Sequence, residues 1–140
     1  MIAALVGVSL ALGVGLLGTA AGLDRDRAYY PVVTIVVASY YALFAATVGS
    51  AQTLLVETLA GAVFAALAIA GFRRSLWLTA AALAGHGVFD FVHAGLVANA
   101  GVPAWWPAFC LGFDVVAATY LAWRLRTGRV RAVADGMIPR

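Results

Sequence analysis

Lysine is absent from this chain of 140 residues, and charge of either sign is scarce: nine basic residues, all arginine, six carboxylates and two histidines, with charged side chains only 11% of the total. Soluble domains carry about 25% charged residues, so this scarcity excludes an ordinary water-facing surface. The arginines lie in short flanks and a tail, with no basic face on a soluble unit. The net charge of +3 and the pI near 9.5 therefore do not indicate nucleic acid. A single cysteine, Cys110, leaves no internal disulfide and reports no redox compartment. No repeat with a period of about 20–50 residues is visible, which excludes solenoid architectures.

What the chain has in abundance is hydrocarbon. Hydrophobic residues make up 64% and the mean hydropathy is +0.98, against about 45–50% apolar residues in soluble domains. A spanning helix needs about 20 mostly apolar residues, and five such runs are present: Ile2–Leu23, Tyr29–Val48, Thr53–Phe72, Leu76–Ala98 and Ala104–Trp123. The expected fold is an all-α integral membrane protein, a compact bundle of five transmembrane helices forming one domain over residues 1–140. The odd helix count disfavours a simple inverted-repeat transporter. The first run ends in small residues, as a signal peptide does, but lacks a basic leader, and is expected to stay as a span.

The links are short and their charges segregate. Asp24–Arg27, Arg73–Ser75 and a tail over 124–140 with Arg124, Arg126, Arg129 and Arg131 fall on one side. Gly49–Gln52 and Asn99–Pro103, without a single basic residue, fall on the other. The positive-inside rule gives an outside N-terminus and an inside C-terminus. Trp77 and Trp123 are expected at the inner interface and Trp105 and Trp106 at the outer one. Arginine without lysine, with abundant Ala, Gly and Val, suggests a GC-rich bacterial gene and a bacterial inner (plasma) membrane. Gly18 and Gly22, in GxxxG spacing and continued by Ala11, Gly15 and Thr19, predict a small face for close helix packing.

Against this background the stretch Ala84–Gly95, AGHGVFDFVHAG, stands out. Apart from the links and tail, the remaining carboxylates and histidines are His86, Asp90 and His93 in that stretch, with Glu57 and Asp114, and all five fall inside predicted spans. Each costs about 2.5–3.5 kcal/mol on insertion scales and marks a functional candidate. At ~1.5 Å rise per residue, counting from the outer ends, Glu57 lies ~6 Å down, His93 ~8 Å, Asp90 ~12 Å, Asp114 ~15 Å and His86 ~18 Å. All five occupy the outer half or the midplane. A cavity open outward is expected, because the inner half offers only Thr19, Thr34, Ser39, Thr79 and Thr119.

His86, Asp90 and His93, spaced by four and three, share one helix face. Asp90 and His93 also have the carboxylate-x-x-histidine spacing used in di-metal bundles, with partner carboxylates from facing helices. The expected metal ligands are Asp90, His93, Glu57 and Asp114, with His86 as proton relay and His86, Asp90 and Asp114 as catalytic groups. His86 and His93 are ~10 Å apart along the axis, so one ion does not take both. Imidazole and carboxylate without thiolate suit Zn, Fe or Mn. Two histidines on one helix disfavour heme. Tyr40, Tyr41, Gln52 and Asn99 are candidates for a supporting shell or substrate contact. Gly85, Gly87 and Gly95 flank the polar face and leave room for a ligand or a neighbouring helix.

The leading functional expectation is a small metal-dependent or acid–base membrane enzyme acting on a lipid-like or isoprenoid-like substrate, since a site at outer-leaflet depth meets lipid first. Homo-oligomerisation is compatible with the small-residue face. The second reading is a proton or divalent-metal transporter or channel; the third is a structural or accessory membrane subunit.

Overall fold

The computed structural model describes residues 1–48 and 50–132. Gly49 and residues 133–140, the latter half of the expected tail, lie outside the described residues. The chain forms five helices: α1 (Ile2–Ala20), α2 (Tyr29–Thr47), α3 (Ala51–Arg73), α4 (Leu76–Leu96) and α5 (Trp106–Arg126), with a 3-10 turn at Leu23–Arg25 after α1. Helix ends depart from the sequence expectation by less than one turn. Four of the five, α1, α2, α3 and α5, are long and apolar enough to cross a membrane. α4 matches α5 in length at 21 residues, but His86, Asp90 and His93 lower its hydropathy. The molecule is therefore an all-helical membrane bundle in which α4 carries its two histidines and its aspartate on a buried face.

Local chemistry sets the helix ends. Ser50 and Ser75 cap α3 and α4, each side-chain oxygen accepting a backbone N–H, from Thr53 and Trp77 respectively, which satisfies a donor that hydrocarbon would leave orphaned. Pro107 sits in the first turn of α5, where its missing N–H costs no helical bond. Gly22 adopts φ +75°, so it ends the first segment as a turn residue. The expected Gly18–Gly22 packing pair is thus not formed: α1 stops at Ala20, and Gly18 receives the Tyr29 ring.

The helices pack in the ring order α1, α5, α4, α3, α2, with α2 also reaching α4. The small face of α1 is spent inside the chain. Gly7, Ala11, Gly15 and Gly18 are its buried residues, and a Cβ at Gly7 would fall on the Phe109 carbonyl, as one at Gly112 would fall on that of Ala4. Close approach of α1 to α5 requires both glycines. Gly7→Ala is expected to lower the stability of the detergent-solubilised chain by about 1–3 kcal/mol through overpacking. Gly13→Ala, where a Cβ meets nothing within 4 Å, is the matched control and should leave the melting temperature unchanged or slightly raised.

Candidate functional site

The site is assembled by depth. Glu57 on α3 and His93 on α4 lie near the Asn99 end, and His93 Nε2 meets Glu57 Oε1 at 2.8 Å. About two turns deeper, His86 Nδ1 meets Asp114 Oδ2 on α5 at 2.6 Å. Asp90 lies between the two levels, with Oδ2 3.5 Å from His86 Nδ1 and Oδ1 accepting the Tyr41 hydroxyl at 2.8 Å. All five ionisable residues are buried, none more than 2% exposed.

Aromatic rings hold the imidazoles. Tyr41 stacks on His93 with centroids 3.9 Å apart and planes 19° from parallel, while Phe64 and Phe89 stand edge-on to His86 and His93 respectively. Asn99, on the loop after α4, donates from Nδ2 to Glu57 Oε1 at 2.8 Å and to the Tyr41 carbonyl at 3.1 Å. One loop residue thereby ties α2, α3 and α4 together. Gly87 lets α5 close on α4, since a Cβ there would sit 3.3 Å from that of Asp114.

The ligand set read from the sequence, Asp90, His93, Glu57 and Asp114, is not brought together. The donor atoms lying within 4.8 Å of one another are those of His86, Asp90 and Asp114, and His93 and Glu57 form a separate pair. The reason is the axial rise: the seven residues from His86 to His93 place each imidazole level with a different carboxylate. His86 thus moves from relay to candidate ligand. Of the two candidate tyrosines, Tyr41 faces the site and Tyr40 turns away to pack on Trp106. Gln52 is exposed at the start of α3 and joins none of these contacts.

Two features bear on what the trio does. Asp90 Oδ2, Asp114 Oδ1 and Glu57 Oε2 are buried without a hydrogen-bond partner, a costly state for any carboxylate oxygen. The charges also fail to balance. Three carboxylates face two imidazoles, so even with both histidines protonated the ionised network is one positive charge short. A divalent cation on Asp90 and Asp114 with neutral His86, beside an ionised Glu57 facing a protonated His93, brings the sum to zero. Protons held on the carboxylates reach the same balance without an ion.

The site meets a cavity at His93. A cavity of about 550 Å³ opens at the Asn99 end, lined by His93, Asn99, Val97, Val102, Pro103 and Pro107 among others. Toward the arginine end, Ala80, Leu83, Ala117, Ala118 and Leu121 belong to a continuous apolar core. Beyond that core lies a second buried polar cluster that the sequence reading missed. Arg124 Nη2 pairs with Asp24 Oδ2 at 2.8 Å, Thr19 donates to the same oxygen at 2.7 Å and meets the Tyr120 hydroxyl at 2.8 Å. In the sequence, Asp24 and Arg124 look like flank charges. The available signal was that Tyr120 and Arg124 lie four apart on one face of α5. Phe64 was also missed, although it stands two turns after Glu57 on the same face of α3.

The chain matches no protein-family model, no curated protein and no solved structure.

Proposed function

We propose that the chain is a metal-dependent membrane enzyme, with five spans, an outside N-terminus and an inside C-terminus in a bacterial inner membrane, acting on a lipid-like substrate at outer-leaflet depth. The observation that carries this reading is the trio His86, Asp90 and Asp114: three donors within 4.8 Å of one another, with Asp114 Oδ1 buried without a hydrogen-bond partner and Asp90 Oδ2 met only by His86 at 3.5 Å. Three protein ligands from mixed imidazole and carboxylate leave a position open for substrate, the arrangement of catalytic rather than structural centres. Zn, Fe or Mn held there supplies Lewis acidity toward a substrate oxygen.

The protein's own groups do the rest. Tyr41 orients Asp90 through its hydroxyl, as hydrogen-bonded outer groups orient metal ligands. His93, the ionisable residue that borders the cavity at the Asn99 end, holds or moves a proton with Glu57 behind it. A transporter would need to connect this site to the arginine end, and the apolar core between the two polar clusters disfavours that alternative.

Melting of the purified chain with Zn, Fe or Mn, and after chelation, tests the reading. A ligand at about 100 times its Kd stabilises the native state by about 2.7 kcal/mol, so at least one metal should raise the melting temperature and chelation should reverse it. Superimposed curves would remove the metal. Orientation is tested separately: a reporter active only in the cytoplasm should signal when fused at the C-terminus and stay silent within Asn99–Pro103. The opposite pattern would turn the site to face the cytoplasm.

A further inference from the structure

At its arginine end α5 closes on a glycine. Gly128, at φ +66°, follows the helix, and its N–H bonds the Leu125 carbonyl at 3.2 Å while the Arg129 N–H returns to the Arg124 carbonyl at 3.0 Å, the paired bonds of a Schellman cap. The chain therefore folds back on the helix, and Arg129 lays its guanidinium over the Trp123 ring, 4.7 Å from the centroid. Arg126, three residues from Trp123 on the same face, is exposed. From Trp123 toward the middle of the bundle runs a groove of about 290 Å³ between α1 and α5, lined by Leu12, Val116, Thr119, Tyr120 and Trp123. The rise from Trp123 to Val116 gives it ~10 Å of length. We propose that this groove takes an acyl chain of an anionic phospholipid whose phosphate is held by Arg126 and Arg129.

Three observations select that occupant. The first is charge. Among the described residues neither Arg126 nor Arg129 pairs with a carboxylate, because the acids at this end are committed elsewhere, Asp24 to Arg124 and Asp26 to the Ala28 N–H. Two free guanidinium forks match the oxygens of a phosphate. The second is the lining. Its two hydroxyls are already satisfied, Thr119 by the Val115 carbonyl and Tyr120 by Thr19, so the groove asks for hydrocarbon and not for a soluble anion. The third is the order of these parts. Exposed cations, then an aromatic ring 44% exposed, then an apolar trough follow one another along α5, as headgroup, interface and chain do in a lipid. Basic pockets between spanning helices are the form that anionic headgroup sites take. The site lies at the opposite end of the bundle from Asn99 and depends on no feature of the cation centre.

Phosphatidylglycerol with a photoreactive diazirine in its acyl chain, added as a minor component to phosphatidylcholine nanodiscs holding the full chain, tests the proposal. Labelling should map to Leu12, Val116 and Thr119 and be competed by unlabelled phosphatidylglycerol, but not by phosphatidylcholine or by glycerol phosphate, which carries the anion without the chain. Arg126→Gln and Arg129→Gln should each weaken labelling about fivefold and together about 30-fold. Gly128→Val, which denies the left-handed turn, should act as Arg129→Gln does. Arg73→Gln with Arg74→Gln removes the same charge from the exposed α3–α4 link and should leave labelling unchanged. Each variant is first checked for an unaltered melting profile in detergent. Equal loss in the Arg73 and Arg74 double variant would mean a diffuse basic surface and would overturn the proposal. Competition by phosphatidylcholine would mean annular lipid only, and competition by glycerol phosphate an anion site without the groove; either overturns it. So would cross-links from Leu12 or Val116 to a second copy, which would make the groove a protein interface.

Discussion

Asp114→Asn and His86→Ala should each reduce the metal that co-purifies with the chain to less than about a tenth of the parent level, while His93→Gln should retain most of it. The contrast follows from depth. His86 and Asp114 meet at 2.6 Å with Asp90 beside them, so removing either leaves two donors for an ion that needs at least three from the protein. His93 is committed to Glu57 and stands level with the cavity. Tyr41→Phe should fall between the two, weakening metal by about 10- to 100-fold, as loss of a group orienting a ligand does. Elemental analysis of each variant, purified in parallel and checked for an unchanged melting profile in chelator, reads all four. Equal loss in the His93 and His86 variants would mean that the two levels act as one ligand set. Loss in the His93 variant alone would move the centre to Glu57.

Arg124→Met should destabilise the chain by about 3–5 kcal/mol, the cost of stripping one partner from a buried ion pair. Asp24 is 1% exposed and Arg124 7%, and the carboxylate is served by Arg124 and Thr19. Without the guanidinium, a charge is left inside the bundle where the turn after α1 meets the end of α5. Asp24→Leu combined with Arg124→Met should recover most of the loss, because a buried pair replaced by apolar groups of similar volume is often neutral. Melting temperatures in detergent across this cycle decide the matter. If the single variant melted like the parent, the pair would be exposed to water in the native membrane state and would not fasten α1 to α5.

The part of this architecture legible in the sequence is the part that hydrocarbon enforces. Apolar runs of spanning length have few ways to lie in a bilayer, so the helix extents follow from composition and the short links. The pairing of Glu57 with His93 and of Asp114 with His86 is implicit in their estimated depths, yet the carboxylate-x-x-histidine spacing pointed instead to Asp90 with His93. Spacing along one helix names neighbours on a face but not which facing carboxylate lies level with each. The small face of α1 was legible as a packing surface but not its partner, since glycine stripes permit close approach by any helix; only the mutual fit of Gly7 and Gly112 identifies α5. Asp24 and Arg124 were opaque for a different reason. Charges next to span ends normally face water, and their burial depends on the turn at Gly22 folding the α1–α2 link back over α5.

The central claim is that one imidazole and two carboxylates hold the cation. X-ray absorption at the edge of the metal bound to the unmodified chain measures that shell directly. The predicted spectrum is oxygen and nitrogen only, with a single histidine and no sulfur, because His93 is paired with Glu57 and Cys110 is not among the grouped donors. Scattering from two imidazoles, a metal–sulfur distance near 2.3 Å of the kind a thiolate gives, or a chain purified without any edge signal after metal loading would contradict it.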